Sequence, residues 1–276
     1  MKLGVLVIFD KDIDIAAAFK NAMDMELPTC QLSIWDYTLY TDDNAGLIRD
    51  AAAETGMEIS AVWAGLSGPA VWDFYEGHET LGLVPKAYRF ARLKELFKAA
   101  DFAEQLGVTD VITHVGFIPE NPYHEDFRGV VTALRTLAAY MKTKGQYFLF
   151  ETGQETPVTL LRTIEEIGTG NLGVNFDTMN LLAYGKANPV DAVSMLGPYI
   201  RNTHIKDGFY PTNGKTLGEQ TAVGEGAVDF PKLLSKLRDF GYDRYLTIER
   251  EISGEQQIKD ILSARDFLKA LGTDSR

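Results

Sequence analysis

Tyr147-Phe148-Leu149-Phe150-Glu151-Thr152-Gly153 is a short, aromatic-rich apolar run that ends on an acid. A run of this kind reads as a buried strand that carries one carboxylate to the edge of a sheet. Three later stretches repeat the plan. Leu172-Gly173-Val174-Asn175-Phe176-Asp177 ends on Asp177, Ile200-Arg201-Asn202-Thr203-His204 on His204, and Tyr245-Leu246-Thr247-Ile248-Glu249 on Glu249. Each interval is long enough for one strand–helix–strand repeat. Parallel, neighbouring strands would bring the four side chains out at one end of one sheet, which is how a (β/α)8 barrel builds an active site.

Moving outward, the same alternation covers the chain. Strands are expected at Leu3–Ile8, Leu32–Trp35, Ile59–Gly65 and from Val111 to Gly116. Helices are expected at Ala16–Met23, Ala45–Thr55 ended by Gly56, and Ala87–Leu106 ended by Gly107. Val130, Leu134, Leu137, Ala138 and Met141 mark a helix before the Glu151 strand. Thr156–Ile167, with Pro157 in its first turn, marks one after it. Helical segments to Leu196, a helix over Asp229–Phe240 and a last one through Ile258, Ile261, Leu262, Leu268 and Leu271 complete eight repeats. Alternation means a parallel sheet, and eight units in this length favour closure. The fold class expected is α/β, a single (β/α)8 TIM barrel over residues 1–276. Two long loops, Gly65–Val84 and Asp207–Val228, follow the third and seventh strands and are expected to rim the pocket.

Composition narrows the functional classes. Hydrophobic residues make up 45% and charged residues 24%, ordinary for a soluble globular protein. The net charge of −12 argues against phosphate-backbone binding, so no nucleic-acid partner is expected. Cys30 is the only cysteine, so no internal disulfide can form, and a reducing cytoplasm is the expected compartment. The apolar run at the start is cut off by Asp10, Lys11 and Asp12, too early for a signal-peptide core. No stretch is long and apolar enough for a membrane span, so no membrane partner is expected.

Two glutamates, an aspartate and a histidine form a hard, oxygen-rich set suited to one divalent ion. Mn²⁺ is foremost, with Mg²⁺, Co²⁺ and Zn²⁺ as alternatives. Taken singly, an acid after a strand can equally be a helix cap, and a histidine there a hydrogen-bonded structural residue. The joint pattern favours the metal.

The ordered set Phe150-Glu151-Thr152-Gly153, Asn175-Phe176-Asp177-Thr178, Thr203-His204-Ile205-Lys206-Asp207, Gly224-Glu225-Gly226-Ala227-Val228-Asp229 and Thr247-Ile248-Glu249 resembles the xylose-isomerase-like TIM-barrel superfamily of sugar isomerases and epimerases, with ketose 3-epimerase and hydroxypyruvate isomerase relatives. The resemblance spans nearly the whole chain. It implies Glu151, Asp177, His204 and Glu249 as metal ligands, with Glu151 and Glu249 also the catalytic acid/base pair. The implied reaction removes a proton next to a carbonyl through a metal-stabilised enediolate, in a sugar, sugar phosphate or polyol. The alternative on the same scaffold is a metal-dependent dehydratase, an inosose- or dehydroshikimate-type lyase. A homodimer or homotetramer is compatible with either. The endonuclease branch needs a histidine-rich trinuclear zinc site, which His78, His114, His124 and His204 cannot fill.

Two departures bear on the substrate. The 3-epimerases carry a histidine three residues after the Asp ligand, where this chain has Asn180, which cannot titrate near neutrality. They also place an arginine shortly after the histidine segment, where this chain has none before Lys215. Expected substrate-binding residues are His114, Asn180, Lys206, Asp207 and Trp63. His114 could bind a sugar hydroxyl or be structural. Lys206 could steady an oxyanion or pair with a carboxylate, and Asp207 could orient His204 or make a turn. Gly224 and Gly226 could admit a substrate to backbone amides, although a tight turn before a helix capped by Asp229 is preferred. Trp35, Trp63 and Phe117 lie near strand ends and read as core or as pocket wall.

Overall fold

The computed structural model describes residues 1–273. Eight parallel strands close into a barrel: β1 (Lys2–Ile8), β2 (Thr29–Ile34), β3 (Glu58–Ala64), β4 (Asp110–Thr113), β5 (Tyr147–Glu151), β6 (Leu172–Asp177), β7 (Ile200–Ile205) and β8 (Tyr245–Ile248). Each pairs with its neighbours in chain order, and β8 returns to β1. Helices α1 (Ile15–Asp24), α2 (Asp42–Thr55), α3 (Lys86–Gln105), α4 (Glu125–Thr143), α5 (Pro157–Ile167), α6 (Pro189–Leu196), α7 (Phe230–Asp239) and α8 (Glu255–Ala270) separate and follow them. The fold is the TIM barrel expected. Among the described residues no helix is long and apolar enough to cross a membrane.

Local chemistry sets the element ends. Thr41, Thr156 and Asp229 cap the N-termini of α2, α5 and α7, each accepting a backbone N–H three residues on. Pro157 occupies the first turn of α5, where no N–H is needed. Gly56 ends α2 at φ 77°, in the left-handed region that glycine enters without strain.

The strands read as apolar throughout, yet they alternate between two environments. Phe148 and Phe150 join the large helix-facing core, while Leu149 packs inside the barrel with Ala61, Trp63 and Ile112. Glu151 continues the inward series by period two. The barrel interior is polar above that plug. Gln31 on β2 reaches across to Asn175 on β6 at 2.9 Å, and Asn202 bonds Ser60 at 3.2 Å. At the opposite end Asp110, fully buried, binds Arg201 at 2.9 Å and Arg244 at 3.0 Å.

The expected β2 span, Leu32–Trp35, is shifted: the strand starts at Thr29 and ends before Trp35. Its first half, Thr29-Cys30-Gln31, carries two polar residues that the barrel interior accommodates, so hydropathy hid it. The expected fourth strand ends at Thr113, leaving His114 just beyond its end.

Candidate active site

Register brings the four candidate ligands together. Asp177 on β6 lies level with His204 on β7, and Thr247 on β8 is also level with His204, so Glu249 stands two residues above it. Glu151, level with Asn175, closes the arc. One ligand-type atom from each of Glu151, Asp177, His204 and Glu249 lies within 4.8 Å of the others. His204 Nδ1 is the hub: 2.8 Å from Glu249 Oε2, 3.1 Å from Glu151 Oε1 and 3.6 Å from Asp177 Oδ2.

This set fits a divalent cation. Bonds of about 2.0–2.3 Å put ligand atoms roughly 3–4.5 Å apart. Asp177 Oδ2 and Glu249 Oε2 are buried oxygens with no well-aligned hydrogen bond, although Lys206 and His204 face both as charges. Oxygens left in that condition are what a cation would satisfy.

Electrostatics hold Glu151 and Glu249 ionised. Burial would raise Glu151, but the charges of His204 and His114 outweigh it and keep it well below the usual range. Glu249 is likewise raised by burial and lowered by His204 and Lys206, ending at about 2. For His204 burial works downward, and Glu151 and Glu249 hold it well above an ordinary imidazole.

The other expected residues divide. Trp63 donates its indole N–H to Glu151 Oε2. His114 approaches Glu151 Oε1 with Nε2 at 3.2 Å, and its Nδ1 meets Gln154 Oε1 at 3.1 Å. Asn180 lies against Glu151 Oε1 at 3.5 Å, while its own N–H donates to Asp177 Oδ1 at 2.7 Å. All three line the pocket. Lys206 pairs with carboxylates: Nζ is 2.9 Å from Asp177, 3.0 Å from Glu249 and 2.8 Å from Glu251. Asp207 is spent elsewhere. Fully buried, it accepts the N–H groups of Gly208, Gly224, Gly226 and Val228 at 2.9–3.1 Å. Gly226 is required there, because a Cβ would stand 2.1 Å from Asp207 Oδ1. Gly224 and Gly226 therefore serve the tight turn, with their amides turned to Asp207.

Sequence reasoning missed Gln31. Its Oε1 lies 2.6 Å from His204 Nε2, while its Nε2 donates to Asn175 at 2.9 Å and faces the Thr203 carbonyl at 3.4 Å. The carbonyl can only accept, which fixes the amide and makes His204 Nε2 the donor. Nδ1 is then the nitrogen turned to the carboxylates. A glutamine inside an otherwise apolar strand was the available signal. Arg92 was also missed. Only 1% exposed, it donates to the carbonyls of Ser67, Pro69, Thr80 and Gly82 at 2.7–2.9 Å and pins the Gly65–Val84 loop.

Above the quartet opens a cavity of about 710 Å³. Trp72 from the first long loop and Leu217, Gly218 and Gln220 from the second line it, together with the segment Glu249–Ser253 after β8.

Residues 16–271 match the family described as xylose isomerase-like TIM barrel. The chain belongs to this family. A xylose isomerase domain protein from Planctomyces limnophilus is 32% identical, covers 98% of both chains and superposes with a TM-score of 0.90. The 3-keto-D-glucoside 4-epimerase YcjR of E. coli, 18% identical, covers 99% of this chain and 100% of its own, with a TM-score of 0.72. At that identity the likeness speaks for the fold alone. Among curated proteins, the uncharacterized MJ1311 of Methanocaldococcus jannaschii is 28% identical over 182 residues. That match covers 62% of this chain and 59% of MJ1311, so the chain spans less than two-thirds of that relative's length.

Proposed function

We propose that the protein is a divalent-metal-dependent isomerase or epimerase of a sugar, working by proton removal next to a carbonyl. The observation that carries this reading is the buried quartet within 4.8 Å at the base of a pocket large enough for a sugar, with two of its members glutamates at the ends of β5 and β8. Glu151, Asp177, His204 and Glu249 would hold the ion. The ion would polarise the substrate carbonyl as a Lewis acid, with Mn²⁺ or Mg²⁺ matching the oxygen-rich donor set.

The chain's own residues supply the rest. A carboxylate oxygen of Glu249 or Glu151 takes the proton from the carbon beside the carbonyl, and the electron pair moves onto the carbonyl oxygen. For epimerisation the other glutamate returns a proton to the opposite face of the same carbon as the electron pair moves back from oxygen. For isomerisation the proton goes to the former carbonyl carbon, while the neighbouring hydroxyl gives its proton to the former carbonyl oxygen and becomes the new carbonyl. Trp63, Asn180 and His114 surround Glu151, hold its orientation and stand beside the reacting atoms. Gln31 and Lys206 act from behind, through His204 and the acids. The family supports this assignment.

The test is exchange of the substrate's carbon-bound proton in deuterated water, with the product's mass read in the same sample. Exchange with conserved mass is the expected result, and loss of water would instead establish the dehydratase. Glu151→Gln and Glu249→Gln should each slow exchange at least about a hundredfold at equal metal occupancy. Exchange at the parental rate in both would move the base to another group.

A further inference from the structure

The cavity changes character along its depth. Its floor is closed and polar: Glu151 is 3% exposed and His204 1%. Its outer half is open and apolar. Trp35 is 44% exposed, Trp72 39% and Ile8 51%, with Ile252 and Leu217 beside the same space. The three tryptophans form one continuous surface from floor to rim. Trp63 touches Glu151, Trp35 lies over Trp63 with ring centres 4.7 Å apart, and Trp72 meets Trp35 edge-on at 6.3 Å. Trp72 also reaches His114 at 4.9 Å, so the surface is tied to the floor on two sides.

Size and charge restrict what can fill this space. Even at the roughly 30 Å³ that liquid water gives each molecule, a hexose of about a dozen heavy atoms occupies only about half of 710 Å³. The charged lining is predominantly acidic, with Glu151, Glu249 and Glu251 against Arg250 and His114, and His114 is already paired with Glu151 at 3.2 Å. Arg250 is committed, with Nε 2.7 Å from Asp260 and Nη1 2.8 Å from Gln220. Lys206 is held among three carboxylates. The N-terminus of α8 adjoins the pocket through Ser253 and Gln257 and has no side-chain cap, but Glu255 already occupies its first turn and Glu251 stands before it. A phosphate would therefore meet carboxylates and no free cation.

We propose that the substrate is an uncharged glycoside, with one sugar ring against Glu151 and Glu249 and a second flat ring, glycosidically attached, resting on Trp35 and Trp72. Indole faces take the C–H face of a pyranose or an aromatic aglycone equally, and both supply a second ring of the right dimensions. The proposal rests on reading the floor as the site of a sugar isomerase or epimerase.

The experiment is binding to the manganese-loaded protein, followed by calorimetric titration and tryptophan fluorescence. The probes are a free ketohexose, its 6-phosphate, a disaccharide and an aryl glycoside. The disaccharide or the aryl glycoside should bind at least about tenfold more tightly than either monosaccharide, and whichever is preferred identifies the second ring. Trp72→Ala and Trp35→Ala should each shrink that preference severalfold, and Trp72→Phe, which keeps a flat ring, should recover part of it. A ketohexose that binds as well as the two-ring ligands, a preferred 6-phosphate, or no binding by any probe would overturn the proposal. Binding is read apart from turnover. Glycoside binding without proton exchange removes the isomerase reading and leaves the ligand class standing. Exchange on a monosaccharide without two-ring preference does the reverse.

Discussion

Replacing Lys206 by methionine isolates the charge balance of the site. Lys206 is 1% exposed, and its ammonium lies within 3.0 Å of Asp177, Glu249 and Glu251. Burial would lower its pKa, but these carboxylates, Asp177 foremost, hold it well above the ordinary lysine value. Methionine keeps the length and removes the charge. In chelator-treated protein only His204, with His114 beside Glu151, would then face Glu151, Asp177 and Glu249. Removing one partner from a buried ion cluster costs about 3–5 kcal/mol. The contact with Glu251 adds little, because that side chain is 59% exposed. At about 2–4 °C per kcal/mol for a chain of this size, the metal-free Tm should fall by roughly 10 °C. Saturating Mn²⁺ should recover most of that loss, since the ion supplies the positive charge the site then lacks. By linkage Lys206→Met must bind Mn²⁺ more tightly than the parent. A difference of about 3 kcal/mol corresponds to about a hundredfold. Thermal unfolding with chelator and with Mn²⁺, and calorimetric Mn²⁺ titration, measure both arms. A metal-free loss below about 1 kcal/mol, or an unchanged Mn²⁺ affinity, would refute the assignment of Lys206 as counter-charge to the ligands.

Three further outcomes are expected. Glu155 is 4% exposed with one carboxylate oxygen unpartnered, and burial raises its pKa to about 7. The folded state then binds more protons than the unfolded state between about pH 4.5 and 7, so its contribution to stability falls as pH rises through that window. Glu155→Gln should be more stable than the parent at pH 8, by on the order of 3 kcal/mol, and nearly equal to it at pH 4; urea unfolding at the two pH values decides. Gln31→Leu removes the partner of His204 Nε2 and should weaken Mn²⁺ binding about 10–100-fold, read by calorimetric titration. Arg92→Leu leaves four loop carbonyls without their buried donor and should raise amide exchange across residues 65–84, while Mn²⁺ affinity changes by less than about threefold.

The sequence carried the repeat and the four strand ends because both are local signals. An apolar strand that stops on Glu151 or Asp177 is visible within one short window. What it concealed depends on long-range pairing. Gln31 and His204 are 173 residues apart and meet only once β2 and β7 face each other across the closed barrel. Trp35, half exposed at the mouth, is indistinguishable from a core tryptophan until the end of β2 is known. Asp207 looked like a site residue because it adjoins the His204 strand. Its carboxylate faces the other way, to amides some 20 residues downstream.

The two long loops share one physical solution, with opposite sign. The Gly65–Val84 loop wraps its carbonyls around a buried cation, Arg92, while Glu95 accepts the Ser67 N–H at 2.9 Å. The Asp207–Val228 loop wraps its amides around a buried anion, Asp207. A buried ion satisfied by several backbone dipoles fixes many φ/ψ angles at once, since each lost dipole leaves the charge undersolvated. Loops of this length, with only one helical turn in the first and a two-residue strand pair in the second, are ordinarily mobile. Here Trp72 on one and Leu217 on the other are held as walls. The residues that line the pocket can therefore change while the ion and its ring of backbone groups keep the loop in place. That separation of anchor from lining explains how the ligand quartet can be legible in the sequence while the substrate is not.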